Sequence, residues 1–285
     1  MPLVHGGTGP FSDTPTQQRP KPIAMKAPVH LMLWGVWALA TAIQSCDPRT
    51  PTPPVQNTEG LYLRLDHRYD SSALELNRAW LPTHLNQVEI NHCQYYLSGF
   101  ALQRTDSSWL EFPNAVFYAD LERQTQSRWR LAPSVPAGTY TALRFRVGLD
   151  SLLNHSDPAS WPPSHPLSLL SSAHMHWNWN SGYIFFKMEG QYQRPSMPVN
   201  GGFSYHLGGD EMLRTVILPF SPLALEGPET DLSVHLQMRG FFDGSHTHYI
   251  TDSSSFSHSS LGDRVASKLA YNLASAFVWK GRVNP

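Results

Sequence analysis

The stretch Leu61-Tyr62-Leu63-Arg64-Leu65-Asp66-His67 alternates apolar and polar side chains without a break. Successive side chains of a β-strand point to opposite faces, so this period of two predicts a strand with one buried face. The three leucines and His67 share that face. The imidazole therefore continues a row of core side chains.

Six further segments have β-type composition, and Pro, Gly, Asn and Ser separate them. They are 87–102, 140–147, 183–188, 203–207, 213–218 and 232–238. One helix is predicted near the end, after a capping box at 260–263, because four apolar residues recur there every four positions: Val265, Leu269, Leu273 and Phe277. The sequence therefore predicts an all-β fold, a two-sheet antiparallel β-sandwich with one C-terminal helix.

The N-terminal part has the pattern of an export signal. Lys26 precedes an apolar run at 29–43, which is too short for a membrane-spanning helix, and Met25 is the expected start. Ile43-Gln44-Ser45-Cys46 resembles a bacterial lipobox, although Gln44 is atypical. It implies cleavage before Cys46, acylation of the Cys46 thiol, and a protein anchored by lipid in the cell envelope, in the periplasm or at the outer-membrane surface.

The chain divides by composition into three parts. Residues 1–45 are an upstream extension and signal peptide, 46–58 are a Pro/Thr-rich tether, and 59–285 suit one sandwich-sized domain. The 21 Lys and Arg against 22 Asp and Glu leave no basic stripe, which argues against nucleic acid as a partner. With Cys46 assigned to the anchor, Cys93 has no partner, so we expect no intrachain disulfide and a buried Cys93.

The run from His174 to Tyr183 concentrates side chains that bind metals. It contains His174, Met175, His176, Trp177 and Trp179. Imidazole and thioether suit copper, and indole is easily oxidised by a redox metal, so the composition favours a copper site. The alternative is that both Trp lie in the core or at a sheet edge and the His lie in a loop.

In a regular strand the two His of this run and the two Trp would face opposite sides. A single site that used both kinds of side chain would need a bend or a bulge. A second surface copper site at His174 and His176 is therefore a separate hypothesis.

Other polar candidates are expected to be structural. His246 and His248 form a second His-x-His pair, which we interpret as a solvated loop. Asp150, Asp157 and Asp210 are expected to cap turns rather than to bind a hard cation.

Taken in order, several motifs resemble the MbnP-like family of exported copper-binding proteins. They are Leu65-Asp66-His67, Val88-Glu89-Ile90, Tyr95-Tyr96-Leu97-Ser98, Val135-Pro136-Ala137-Gly138-Thr139-Tyr140, Phe145-Arg146-Val147-Gly148-Leu149-Asp150-Ser151, Met175-His176-Trp177-Asn178-Trp179-Asn180-Ser181-Gly182-Tyr183, Lys187-Met188-Glu189-Gly190 and Tyr205-His206-Leu207-Gly208-Gly209. The resemblance covers most of the predicted domain. Each motif alone is weak, and the ordered set is specific.

The resemblance implies copper held by two His and a Trp-derived residue, with the Trp oxidised to kynurenine by a di-haem enzyme of the MbnH type. The best-matching residues are His67, His206 and Trp179, and the weaker matches are His176, Trp177, His174 and Met175. His206 alternates with Phe203, Tyr205 and Leu207, so it is predicted to face away from the apolar set, toward a surface cleft. For His67 the alternative is a core His hydrogen-bonded to Tyr or to a carbonyl.

The sequence therefore favours an exported, lipid-anchored β-sandwich that binds copper for acquisition, buffering or delivery and is not an enzyme. One rival is a surface module that binds glycans or proteins through exposed Trp177, Trp179 and Tyr183. A second rival is a copper-dependent oxidase that uses the His-x-His segments.

Overall fold

The structure is a computed structural model that describes residues 56–81, 87–123, 126–172, 174–178, 181–194, 201–259 and 262–283. All of these lie in one compact unit, Pro53–Pro285. The predicted signal peptide, Cys46 and nearly all of the tether lie outside the described residues, as does Trp179. Within the described ranges, no helix is long and apolar enough to cross a membrane.

Strands dominate the described chain. They are β1 Leu61–Tyr69, β2 Ser72–Ala73, β3 Ala79–Trp80, β4 Gln87–Arg104, β5 Trp109–Phe112, β6 Phe117–Asp120, β7 Gln126–Ala132, β8 Gly138–Val147, β9 His176–Asn178, β10 Gly182–Gln193, β11 Gly201–Gly208, β12 Arg214–Leu225, β13 Thr230–Gln237, β14 Phe256–Ser257 and β15 Phe277–Val283. The α-helices are α1 Ser151–Asn154, α2 Arg239–Asp243 and α3 Arg264–Ser275. The all-β prediction is confirmed.

The strands form two sheets. The smaller sheet has the order β15-β13-β1-β2, with β7 also paired to β1. The larger sheet has the order β12-β8-β4-β10-β11-β14, with β3, β5 and β6 on β4 and β9 on β10. The prediction of antiparallel sheets was wrong for two pairs, because β1 runs parallel to β13 and β11 runs parallel to β14. Both sheets are therefore mixed.

The alternating segment that opens the domain is confirmed as β1. Its burial alternates residue by residue, and Leu61, Leu63, Leu65 and His67 are all buried. The six other predicted segments are also strands, and the observed strands extend beyond most of the predicted bounds. Cys93 lies on the buried face of β4 with a free thiol, as expected.

The C-terminal helix ends earlier than predicted. Asp263 caps α3 by accepting from the N–H groups of Val265 and Ala266, at 2.9 and 3.0 Å. Phe277 was wrongly placed in this helix, since it is the first residue of β15. The short helix α1 was not predicted, and Asp150 caps it by accepting from the N–H of Leu153. The prediction of one helix was therefore wrong in number, while the turn-capping role of Asp150 is confirmed.

His248 is buried, so the prediction of a solvated loop was wrong for this residue. Its Nε2 lies 2.9 Å from the hydroxyl of Tyr205, whose ring belongs to the core. Burial, helped by the charge of Lys268 and opposed by a backbone hydrogen bond to Ser254, lowers the pKa of His248 from its ordinary value of 6.5 to about 4. The folded protein therefore holds this imidazole neutral at pH values where an exposed histidine is protonated.

We predict that the free energy of unfolding decreases as the pH is lowered from about 6.5 to 4. In this range the unfolded chain binds a proton at His248 that the folded chain does not bind, which costs on the order of 3 kcal/mol once the pH reaches 4. Urea unfolding of the metal-free protein at several pH values measures this loss. His248→Gln should have a smaller pH dependence, and an equal dependence in both proteins would contradict the assignment.

Candidate metal centre

The centre of the candidate site is the outward face of β11. Tyr205 and Leu207 point into the core, whereas His206 and Gly208 point away from it. Strand β14 pairs with β11 in parallel register, with Ser204 opposite Phe256 and Tyr205 opposite Ser257. That register carries His258 beside His206, and the two rings stack with centroids 4.7 Å apart and planes at 13°.

A serine fixes this pair of imidazoles. The hydroxyl of Ser259 donates to the carbonyl oxygen of His206 at 2.9 Å and accepts from the N–H of Gly208 at 3.0 Å. Ser259 has φ +50°, in the left-handed region, where the chain turns away from β14. The segment that carries His258 is therefore held against β11 beyond the end of the paired strand.

Glu189 on β10 orients His206. Its Oε1 lies 2.6 Å from His206 Nε2 and 3.5 Å from Lys187 Nζ. Burial alone would raise the Glu189 pKa, but the His206 hydrogen bond and Lys187 outweigh it, so this pKa lies below its usual value. Burial lowers the pKa of His206, against the effect of Glu189. An ionised carboxylate therefore accepts from a neutral imidazole with its proton on Nε2.

In that tautomer Nδ1 of His206 carries a lone pair. The hydrogen bonds of the His206 ring, to Glu189 and to Ser204 Oγ at 3.2 Å, both use Nε2. Within the described part of the chain, His258 has no side-chain hydrogen bond, and its ring contact is the stack on His206. Nδ1 of His206 and the ring nitrogens of His258 are therefore the imidazole atoms available as donors here.

Trp177 lies beside these rings. Its indole is so close to Gly208 that a Cβ on that glycine would stand 2.8 Å from Cζ3 of Trp177 and 2.7 Å from the carbonyl oxygen of Tyr183. Trp177 and His258 both line one surface cleft of about 690 Å³. Glycine at position 208 therefore lets the indole lie against β11, next to His206.

The opposite wall of the cleft is polar. Asn154, which is fully buried, accepts from the N–H of Tyr183 at 2.8 Å and donates to Asp210 Oδ1 at 3.0 Å. His155 Nε2 lies 3.8 Å from the same carboxylate oxygen. These contacts tie the start of β10 to the segment that follows β11.

The donor set fits a borderline or soft metal ion. Imidazole nitrogens suit copper and zinc, and a hydrogen-bonded carboxylate behind a ligating His is the usual supporting arrangement in metal sites. Among the residues described, no three His, Cys, Asp or Glu side chains are arranged to hold a metal ion. The two rings also lie face to face, so both nitrogens reach one ion only after a ring turns, and the cleft gives His258 room to do so.

The structure does not bring His67 and His206 together. His67 faces the core and its Nε2 lies 2.5 Å from the hydroxyl of Tyr95, whereas His206 faces away from the core. This contact is the alternative that we considered for His67, a core His bonded to Tyr. His206 lies on the face of β11 opposite Tyr205 and Leu207, as the alternation predicts, but its side chain is only 14% exposed, and its opening into a surface cleft stays a prediction.

The predicted site residues of the 174–178 segment lie in different environments. His174 is exposed with φ +66°, and Met175 is fully buried in the core. His176 pairs with Tyr183 across β9 and β10, with ring centroids 4.8 Å apart, while Trp177 lies on the other face against Gly208. The predicted opposition of His176 and Trp177 is therefore confirmed.

The predicted exposed aromatic platform of Trp177, Trp179 and Tyr183 was wrong for Tyr183. Tyr183 is fully buried, and its hydroxyl donates to the carbonyl oxygen of Leu167 at 2.7 Å. His258, in contrast, was missed, because Phe256-Ser257-His258-Ser259 lies in a Ser-rich stretch that has the composition of a loop. The signal that was available is the apolar–polar alternation of Phe256 to His258, which is too short to identify a strand.

The chain was compared with family models, curated proteins and solved structures. A search of curated proteins found no match. A solved structure, MbnP from Methylosinus trichosporium, is similar with 16% sequence identity and a TM-score of 0.47, over 75% of this chain and 87% of that chain. The model of the MbnP family matches residues 58–258, which is more than half of the chain. The chain is therefore a member of the MbnP family.

Proposed function

We propose that this chain is an exported copper-binding protein that holds the metal between His206 and His258 for acquisition, buffering or delivery, without turnover. The observation that carries the proposal is the stacked pair of His206 and His258 imidazoles at the cleft that the oxidisable Trp177 indole also lines. Export and the lipid anchor at Cys46 enter as predictions from the sequence. The two-His and Trp-derived ligand set that the family resemblance implies supports copper over zinc.

The two imidazoles and the indole have separate roles in this proposal. His206 Nδ1 and a ring nitrogen of His258 would donate to the metal as neutral bases, which requires both rings to be unprotonated. Copper adds one-electron chemistry to the site. Trp177 lines the same cleft as His258, so among the described residues it is the indole positioned to be oxidised and to provide a third donor, in a reaction that a di-haem partner of the MbnH type would drive.

Glu189 would act on the metal only through His206. Its hydrogen bond to Nε2 keeps the proton off Nδ1 and sets the orientation of the ring. Lys187, 3.5 Å from the same carboxylate, keeps Glu189 ionised. The residues on β10 therefore prepare the donor on β11 without touching the ion.

We predict that the double variant His206→Gln/His258→Gln loses copper. Glutamine keeps a polar side chain at each position but removes the imidazole donors, so near-stoichiometric copper in the wild type should fall to background. Metal content and intact mass are measured on protein from the native host. Fragment ions that separate Trp177 from Trp179 show which indole, if either, carries added oxygen.

His67→Gln is the matched control, because it removes one imidazole from the core face and leaves β11 unchanged. It should retain copper if thermal unfolding shows it folded. Loss of copper in this control alone, or copper retained by the double variant, would contradict the proposed site. Oxidase turnover by the loaded wild type would contradict a purely binding role.

We predict that Glu189→Gln weakens copper binding about 10- to 100-fold, with unchanged stoichiometry, because outer-sphere partners of ligating histidines have effects of this size. Competition titration against a chelator of known affinity measures the change. Glu111→Gln is the control, since Glu111 pairs with Arg144 away from the cleft. Equal affinities for wild type and Glu189→Gln would show that Glu189 does not support the ligand.

A further inference from the structure

A buried tyrosine and histidine lie directly beneath the candidate site. Tyr205 precedes His206 on β11 and is fully buried. Its hydroxyl donates to the carbonyl oxygen of Ser254 at 3.0 Å and lies 2.9 Å from His248 Nε2. Metal binding as proposed above uses neither Tyr205 nor His248. Both residues are in the core of the protein, where an unneeded polar pair is costly.

A base next to a tyrosine hydroxyl decides whether that tyrosine is easily oxidised. Loss of an electron makes the phenol strongly acidic, so the radical is stable only where the proton has an acceptor. Tyr183 and Tyr96 donate to the Leu167 carbonyl and to the Ser172 hydroxyl, neither of which is a base of useful strength. Tyr205 also donates to a carbonyl, that of Ser254, but an imidazole nitrogen of His248 lies 2.9 Å from its hydroxyl and can receive the proton on oxidation. His248 Nε2 is a true proton acceptor in the tautomer with its own proton on Nδ1.

Tyr205 is also connected to Trp177 by a short path. Gly208, against which the Trp177 indole packs, lies three positions after Tyr205 on β11, a span of roughly 10 Å. His206, which is bonded directly to Tyr205, lies between them on the strand. An electron can therefore pass along covalent backbone from the phenol to the cleft.

We propose that Tyr205 and His248 form a redox pair that returns one electron to the oxidised Trp177 indole. In the first step, which rests on the Trp177 oxidation of the proposed function, a one-electron oxidant takes an electron from Trp177, is itself reduced by one electron, and leaves the indole radical cation. The oxidant is a high-valent haem of the di-haem partner, or a ruthenium(III) complex in the experiment below. In the second step Tyr205 gives one electron to that cation and its hydroxyl proton to His248 Nε2. The products are neutral Trp177, the Tyr205 phenoxyl radical and a protonated His248, so charge and electrons balance.

This pair would control how far Trp177 is oxidised. Each electron returned by Tyr205 restores the indole before oxygen is added to it, so covalent modification of Trp177 requires oxidation faster than this return. The proposal does not depend on copper, and it is tested on metal-free protein. Its failure and the failure of the copper proposal are therefore separate results.

Other tyrosines have an acceptor, but they lie farther from β11 along the chain and across the sheet. Tyr95 meets His67 on β4, and Tyr192 donates to Asp252 Oδ1 at 2.9 Å near the end of β10. Neither is joined to a residue of the candidate site by one peptide bond. Tyr205 is therefore the assignment, and Tyr95 is the competitor that the experiment must exclude.

The experiment uses the full chain with exposed Tyr249 and Tyr271 replaced by Phe, because these would react directly with the oxidant. Photogenerated tris(bipyridine)ruthenium(III) oxidises the protein, and freeze-quenched samples are examined by electron paramagnetic resonance. Protein grown on ring-deuterated tyrosine identifies the radical by its narrowed spectrum. We expect a tyrosyl radical that is lost in Tyr205→Phe and strongly reduced in Trp177→Phe, with more oxygen added to Trp177 in the former.

Tyr183→Phe is the matched control, since it removes a buried hydroxyl that donates to the Leu167 carbonyl, and it should keep the signal. His248→Gln serves where Tyr205→Phe fails to fold, because the amide accepts a hydrogen bond but no proton, and the signal should fall. A signal that survives both changes, that disappears in Tyr95→Phe instead, or that is absent from the deuterated parent protein overturns the proposal.

Discussion

The two-residue period of β11 is the constraint on which the candidate site depends. Tyr205 and Leu207 are buried, so His206 and Gly208 must face outward, and the core packing of one set fixes the direction of the other. A shift of one residue would bury His206 and expose Tyr205. The position of the outward imidazole is therefore set by the free energy of burying its neighbours, and not by contacts of its own.

The same argument shows what could be predicted from the sequence. Alternation identified β1 and the direction of His206, because period and polarity are local properties of a strand. It could not identify the neighbour of His206. His258 reaches it through a parallel pairing between segments about 50 residues apart, and a two-residue strand in a Ser-rich stretch has no period to detect. The parallel pairing of β1 with β13 was also missed, because it joins segments that are far apart in the sequence and period is a local property.

His67 shows why a matching motif and a buried imidazole do not by themselves make a ligand. Its place on the buried face of β1 was predicted, and a buried imidazole needs a hydrogen-bond partner or a metal. Tyr95 meets that need. For His206 the partner is Glu189, which uses Nε2 and leaves Nδ1 available. Both histidines lie on alternating strands, but His67 is on the buried face and His206 is on the opposite one. The hydrogen-bond partner, Tyr95 for His67 and Glu189 for His206, then decides which ring nitrogen is engaged.

The electrostatics of the site bear on which copper ion it would prefer. Glu189 and Lys187 form an ion pair behind His206, so the half-buried surroundings contribute little net charge. An ion between two neutral imidazoles would keep its full charge, and partial burial disfavours a dication more than a monocation, because the desolvation penalty rises steeply with charge. A cuprous ion, which also accepts two-nitrogen coordination, is therefore the better match. A bound cuprous ion would readily give up one electron. The site would therefore place a redox-active metal close to the oxidisable indole of Trp177.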